Sequence, residues 1–166
     1  MNEEMLNITV QQSKLISSAL RVKIMKYLLD SPKTSKQVAD LLGESGGNVH
    51  YHIKKLYDGG LLEIVEEKKN GGVTEKYYQS KSKWFNTEGA EIIDPVLSDQ
   101  YESADATKLS IRMELTEAQK EEMTSEFRSF LERWVNKSIA ERNEDTQEFS
   151  IGIKIISVEP KQEGKG

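Results

Sequence analysis

From Ser13 to Leu29 the apolar residues Leu15, Ile16, Ala19, Leu20, Ile24 and Leu28 recur at three-to-four spacing, the period of an amphipathic helix. Asp30-Ser31-Pro32 stops it. Thr34, with Gln37 three residues on, has the pattern of a capping box and opens a second, short helix. Its expected buried stripe is Val38, Leu41 and Leu42, and Gly43 marks its end. After Glu44-Ser45-Gly46-Gly47 a third helix is expected from Asn48 to Tyr57, with Val49, Ile53, Leu56 and Tyr57 on one face. Gly59-Gly60 closes it. A longer helix followed by two short ones across a Gly-containing turn is the helix-turn-helix pattern. Then Leu61 to Val65 and Val73 to Gln79 flank the polar run Glu66 to Gly72. Asn70-Gly71 reads as a hairpin turn, because both residues tolerate positive φ. Three helices followed by a β-hairpin predict a winged helix.

The second half has a different rhythm. Residues 86–107 are mixed and acidic; Ile92, Ile93, Val96 and Leu97 suggest a short helix or buried turn, and Pro95 argues against a long helix. Leu109, Ile111, Met113 and Leu115 alternate with polar residues, as a half-buried strand does. Thr116 with Gln119 makes a second capping box, opening a helix to about Asn143 with the apolar stripe Met123, Phe127, Phe130, Leu131, Trp134, Val135 and Ile139. Phe149, Ile151, Ile153 and Ile155 then alternate as a second strand, before a polar tail from Pro160. The expected fold class is therefore α+β. A winged helix (three helices plus a β-hairpin wing) spans 1–84 and a linker 85–107. A small C-terminal α/β domain of strand, long helix and strand spans 108–160, for dimerisation or sensing, and a disordered tail 161–166. Two strands alone make a poor sheet, so the missing neighbours are expected from the wing domain or a second subunit.

Composition narrows the chemistry. The 166 residues contain no cysteine, which excludes disulfides, thiolate zinc sites and cysteine nucleophiles. The only histidines are His50 and His52; an i, i+2 pair points about 200° apart on a helix and cannot grip one metal ion there. His52 borders the apolar stripe and reads as a partly buried, hydrogen-bonded packing residue. No 18-residue apolar run and no basic, apolar leader is present, so a cytoplasmic protein without membrane association is expected. No nucleophile elbow, phosphate loop or dinucleotide fingerprint appears, and neither catalysis nor a cofactor is expected. The net charge of −5 is unevenly spread: residues 1–84 hold 13 Lys+Arg against 10 Asp+Glu, a balance of +3, and the remainder carries −8. A basic module joined to an acidic domain keeps nucleic acid in view, because the electrostatic footprint to look for is local.

The run Ala19-Leu20-Arg21, Thr34 to Gln37, and Asn48-Val49-His50-Tyr51-His52-Ile53-Lys54-Lys55-Leu56 with Asp58-Gly59-Gly60-Leu61-Leu62 resembles the ArsR-like winged-helix transcriptional regulators of bacteria and archaea. The resemblance covers residues 14 to about 80. It implies a homodimer that binds double-stranded operator DNA through the third helix and the wing. The metal-sensing members use cysteine ligands, or histidine and acidic ligands on a later helix; this chain matches neither set, so metal sensing is not expected.

On that reading Asn48 is a candidate for base edges, and Tyr51, Lys54 and Lys55 for phosphates or bases. His50 is exposed enough to meet DNA. Lys68, Lys69 and Asn70 at the hairpin tip, with Lys76 on the returning strand, would make a wing contact. Thr34, Ser35 and Lys36 stand at a helix start, where free N–H groups favour a phosphate. Two other functions compete. One is a protein-assembly module on which the same lysines are a solvated face. The other is a sensor whose C-terminal domain binds a small-molecule effector.

Overall fold

The computed structural model describes residues 5–87 and 105–158. Along the chain run β1 (Leu6–Ile8), α1 (Val10–Ile16), α2 (Ala19–Asp30), α3 (Ser35–Leu42), α4 (Gly46–Asp58), β2 (Leu62–Asn70), β3 (Val73–Ser80), β4 (Phe85–Thr87) and α5 (Glu117–Ala140). Two compact units result, Met1–Ala90 with Met113–Thr146, and Glu91–Arg112 with Gln147–Gly166. The stretch around Pro95 and the tail from Pro160 lie outside the described residues.

In the first unit, α2, α3 and α4 bury one core. Ile24, Leu28, Val38, Val49, Ile53, Leu56, Leu61 and Leu62 are its fully enclosed side chains. Burying each of them contributes about 1.5–3 kcal/mol. The expected first helix is two helices. Ser17 and Ser18 break the run, with Ser18 extended at φ −158° and Ser17 Oγ donating to the Ser13 carbonyl at 3.1 Å. Serine side chains compete in this way for backbone acceptors and weaken a helix interior. Thr9 caps α1 in a capping box with Gln12, and Gln12 Nε2 donates to the Gly59 carbonyl at 2.7 Å, tying α1 to the end of α4.

The capping box at Thr34 and Gln37 forms, and Gly43 ends α3 in the left-handed region at φ +65°. Within α3 the buried residues are Val38 and Ala39; Leu41, expected in the stripe, is exposed. An eight-residue helix turns only one side inward, and Leu41 lies three positions, about 60° short of a full turn, from Val38. Tyr57, expected on the buried face of α4, is 40% exposed and meets Tyr78 edge-on instead.

The wing is an antiparallel pair in which Leu62 opposes Ser80 and Asn70 opposes Val73. Its turn is Gly71-Gly72, both at positive φ, so Asn70 closes the ladder rather than occupying the turn. Two consecutive positive φ values suit a two-residue hairpin loop, and glycine adopts them without strain. A register shift between Ile64 and Glu66 leaves Val65 as the extra residue of a bulge. Lys33 and Tyr78 exchange backbone hydrogen bonds at 3.1 and 2.9 Å, which fixes the root of the wing beside the start of α3. An element not anticipated from the sequence, the parallel pairing of β1 with β4, joins Leu6 to Phe85 and brings together the two ends of the winged helix.

The long helix α5 forms as expected, capped by Thr116 and Gln119. The strands expected on either side of it do not: residues 108–116 and 147–158 are described and contain no strand. Their alternating apolar side chains stay in solvent, Leu109 at 91% and Phe149 at 75% exposure. Alternation makes a segment ready to pair; the ladder itself needs a neighbour to supply N–H and C=O partners. The apolar stripe of α5 is also two stripes. Leu131, Val135 and Ile139 are half-buried, whereas Phe127, Phe130 and Trp134 face solvent. Ion pairs of 2.8 Å join Lys83 to Glu132 on α5 and Glu44 to Arg142, two residues past the end of α5, tying the helix to the winged helix.

The α4 stripe carries the core, so Leu56→Ala should cost about 2–5 kcal/mol of unfolding free energy. Tyr51→Ala, on the opposite face, should change it by roughly 0.5 kcal/mol or less. Urea unfolding followed by far-UV circular dichroism measures both.

Candidate nucleic-acid interface

With Val49, Ile53 and Leu56 turned inward, helical periodicity leaves the other side of α4 outward: Asn48, His50, Tyr51, Lys54 and Lys55 are all exposed. Ser45 caps the helix, accepting from the Asn48 N–H at 3.3 Å, so Asn48 sits in its first turn. Lys55 Nζ lies 4.7 Å from the centre of the Tyr51 ring, a cation–π contact between residues one turn apart.

Beside α4 is a cleft of about 440 Å³, walled by the start of α3, the flank of α4 and the wing, from Ile64 and Tyr78 out to Thr74. It gathers Thr34, Ser35, Lys36, His50, Lys54 and Lys76 from three separate elements. Thr34 Oγ1 is engaged by the cap, accepting from the Gln37 N–H at 3.2 Å. The first-turn N–H groups of Ser35 and Lys36 have no intrahelical acceptor, as in any helix. Ser35 Oγ lies 3.4 Å from His50 Nδ1, bridging α3 to α4 across the cleft. Lys68, Lys69 and Asn70 do not line the cleft; they are exposed at the tip of the hairpin, on the strand opposite Glu75, Thr74 and Val73. Lys68 Nζ lies 4.7 Å from the Tyr77 ring centre.

The carboxylates of this surface were not singled out in the sequence. Asp58 Oδ2 accepts from Lys54 Nζ at 2.7 Å, Glu66 pairs with Lys68 at 3.1 Å, and Glu67 with Lys76 at 3.7 Å. The Asp58 and Glu66 hydrogen bonds push Lys54 and Lys68 above the ordinary lysine range. The i, i+4 spacing of Lys54 and Asp58 was the available signal. Lys36, Lys55 and Lys69 have no carboxylate partner among the described residues.

His52 is half-buried, as expected, but its Nδ1 is enclosed without a hydrogen-bond partner among the described residues, contrary to the hydrogen-bonded packing role expected of it. Burial, then the positive charges of Arg21 and Lys55, lower its pKa; Glu44 offsets them in part. Among the described residues no group of three or more His, Asp or Glu side chains is placed to hold a metal ion. No helix of the described residues is long and apolar enough to cross a membrane.

Residues 16–65 match the sequence family described as a helix-turn-helix domain. The N-terminal half is a winged helix-turn-helix. Among solved structures it is similar to the homodimeric winged helix-turn-helix DNA-binding domain of a possible ArsR-family transcriptional regulator from Mycobacterium bovis. That likeness has 19% identity over 44% of this chain and 63% of the other, with a TM-score of 0.36. NolR from Sinorhizobium fredii is similar at 20% identity over 43% of this chain and 66% of that one, TM-score 0.35. A predicted DNA-binding transcriptional regulator from E. coli is similar at 21% identity over 42% and 70%, TM-score 0.35. The chain thus spans less than two thirds of the length of the first two. No curated protein matches it.

The winged helix should respond to acid through His52. Its folded pKa lies below the unfolded value of about 6.5, so above that pH both states are neutral and the stability is fully present. As pH falls from about 6.5 toward the lower folded value, the unfolded chain takes up the proton first and stability is lost. His52→Gln should therefore lose less stability than wild type between about pH 7.5 and 5.5, read as urea midpoints. An unchanged pH dependence in His52→Gln would contradict this sign.

Proposed function

We propose that the protein is a non-enzymatic, cytoplasmic transcriptional regulator that binds double-stranded DNA as a homodimer and does not sense metals. The observation that supports this most is the placement of Asn48, Tyr51, Lys54 and Lys55 on the outward side of a helix whose other side is core. The same surface has the start of α3 on one flank and a wing carrying Lys68, Lys69, Asn70 and Lys76 on the other. A helix so presented fits the major groove, where Asn48 reads a base edge while lysines and the first turn of α3 take phosphates. The operator would be pseudo-palindromic, with half-sites about one helical turn, 10–10.5 bp, apart or a multiple of it. An effector acting on the C-terminal half would regulate by changing the angle between two such helices.

The test needs no operator. Binding of the full chain to mixed-sequence duplex is followed by fluorescence anisotropy between about 50 and 200 mM salt; wild type should lose affinity steeply, near 0.9 log units per log unit of salt for each phosphate contact. Lys36→Ala/Lys55→Ala removes two lysines without carboxylate partners and should flatten the slope by roughly one to two units. Negligible binding at low salt, or equal slopes, would shift the reading to a protein-assembly module.

The homodimer is supported by the outward side of α5. Met123, Phe127, Phe130 and Trp134 follow one another at helical spacing, and a groove of about 260 Å³ runs beside them, edged by Glu126 and Arg133. Two copies of α5 packed antiparallel about an axis between Phe127 and Phe130 set Phe127 against Phe130 and Met123 against Trp134. In that register Glu126 of one protomer lies on the same flank as Arg133 of the other, offset by two residues or about 3 Å along the axis, and Glu122 likewise with Lys137. A helix whose flanking charges are complementary to its own reversed copy favours self-pairing over other occupants. Sedimentation equilibrium should give a dimer for wild type, a dissociation constant raised at least about tenfold for Glu126→Arg, and recovery in Glu126→Arg/Arg133→Glu, the scale expected of losing 1.4 kcal/mol. A monomeric wild type, or a dimer indifferent to both substitutions, would remove α5 from the interface.

A further inference from the structure

The surface that would face DNA is closely balanced in charge. Lys36, Lys54, Lys55, Lys68, Lys69 and Lys76 are set among Asp58, Glu66, Glu67 and Glu75, six cations against four anions. Three of the lysines are held by carboxylates on the same element or the facing strand. Asp58 stands seven residues after Tyr51, so the two lie in one line along the crest of α4, directly opposite the buried Val49–Leu56 stripe. When that crest enters a groove, Asp58 enters with it.

We propose that Asp58, assisted by Glu66 and Glu67 in the wing, is a specificity-determining residue that suppresses binding to non-cognate DNA. The inference rests on the DNA-binding reading above. Non-cognate duplex offers chiefly phosphates, and attraction to them scales with the lysines free to neutralise them. A lysine that leaves Asp58 for a phosphate strands a carboxylate within a few ångströms of the same phosphate, well inside the roughly 8 Å over which physiological salt leaves charges unscreened. A cognate site compensates, because cytosine N4 presents a donor to a carboxylate in the major groove and base-edge contacts add to the phosphate ones. Exposed ion pairs are readily opened, so the pairing taxes weak sites without closing the surface to good ones.

The experiment compares wild type, Asp58→Asn, Glu66→Gln/Glu67→Gln, Asp58→Asn/Lys54→Ala and Glu117→Gln on mixed-sequence duplex across the same salt range. Glu117 pairs with Lys120 at the start of α5, so its substitution makes the same net-charge change as Asp58→Asn on a different helix. Asp58→Asn should bind roughly three- to tenfold tighter at the low-salt end, with a slope steeper by about 0.9 for the freed lysine. The wing variant should shift in the same direction. Asp58→Asn/Lys54→Ala should lose that added slope, and Glu117→Gln should stay near wild type. If wild type binds with a salt-dependent slope and Asp58→Asn merely matches Glu117→Gln, the specificity role of Asp58 is overturned while the DNA-binding reading stands. If no variant and no wild type shows salt-dependent binding, the DNA-binding reading fails and takes this inference with it.

Discussion

Val49, Ile53 and Leu56 are withdrawn from solvent against a core that includes Ile24, Leu28, Val38, Leu61 and Leu62, and this burial fixes how α4 can be rotated about its axis. A rotation of one residue, about 100°, would turn this stripe out of the core and bring Lys54 or Lys55 toward it in its place. Burying an unpaired charge costs far more than any hydrogen bond on the outside of the helix returns. The apolar stripe thus determines, by exclusion, which side chains can meet a partner. The rest of the surface is indexed to it: the Lys33–Tyr78 bridge seats the wing beside α3, and the core seats α3 against α4.

This logic is why the winged helix is legible in the sequence alone. Its signals are local and redundant: a capping box at Thr34, a left-handed glycine at Gly43, a 3.6-residue period and two adjacent glycines at the hairpin turn all agree with the same packing. What went unread was what depends on competition between near-equal choices. Ser17 and Ser18 split a helix that periodicity alone runs straight through, because a side-chain hydroxyl competing for the Ser13 carbonyl leaves no mark on the apolar pattern. The pairing of Leu6–Ile8 with Phe85–Thr87 joins segments far apart in sequence and too short to stand out individually. The lysines of the candidate site were found by type. The carboxylates that pair with them carry no such signal by type, and only the four-residue spacing of Lys54 and Asp58 marks one of the pairs.

The second half exposes the limit of reading alternation as a strand. Leu109 to Leu115 and Phe149 to Ile155 keep a faultless period of two, and neither segment is in a ladder. A helix closes its hydrogen bonds within its own segment, so a capping box and a stripe suffice to form α5. A strand borrows its partner, and nothing local says from where. The stripe of α5 is ambiguous for a related reason. Seven apolar positions spread over half the circumference describe a helix between two neighbours, and the winged helix accounts for only the Leu131, Val135 and Ile139 side.

The overall acidity of the chain bears little on whether it can approach a polyanion. At physiological salt, charges more than about 8 Å from a contact are largely screened, so the chain's net charge of −5 is a poor guide to what a phosphate at α4 meets. What such a phosphate senses is the immediate balance of lysines and carboxylates. There the excess is two positive charges, and half of the lysines are held by neighbours. A strongly basic face would bind any duplex and leave base contacts little to add. A nearly neutral one makes the phosphate term small, so a side chain such as Asn48 at the start of α4 contributes a larger share of the total. Discrimination between sequences is a ratio of affinities, and trimming the term common to all sequences raises that ratio as effectively as improving the term unique to one.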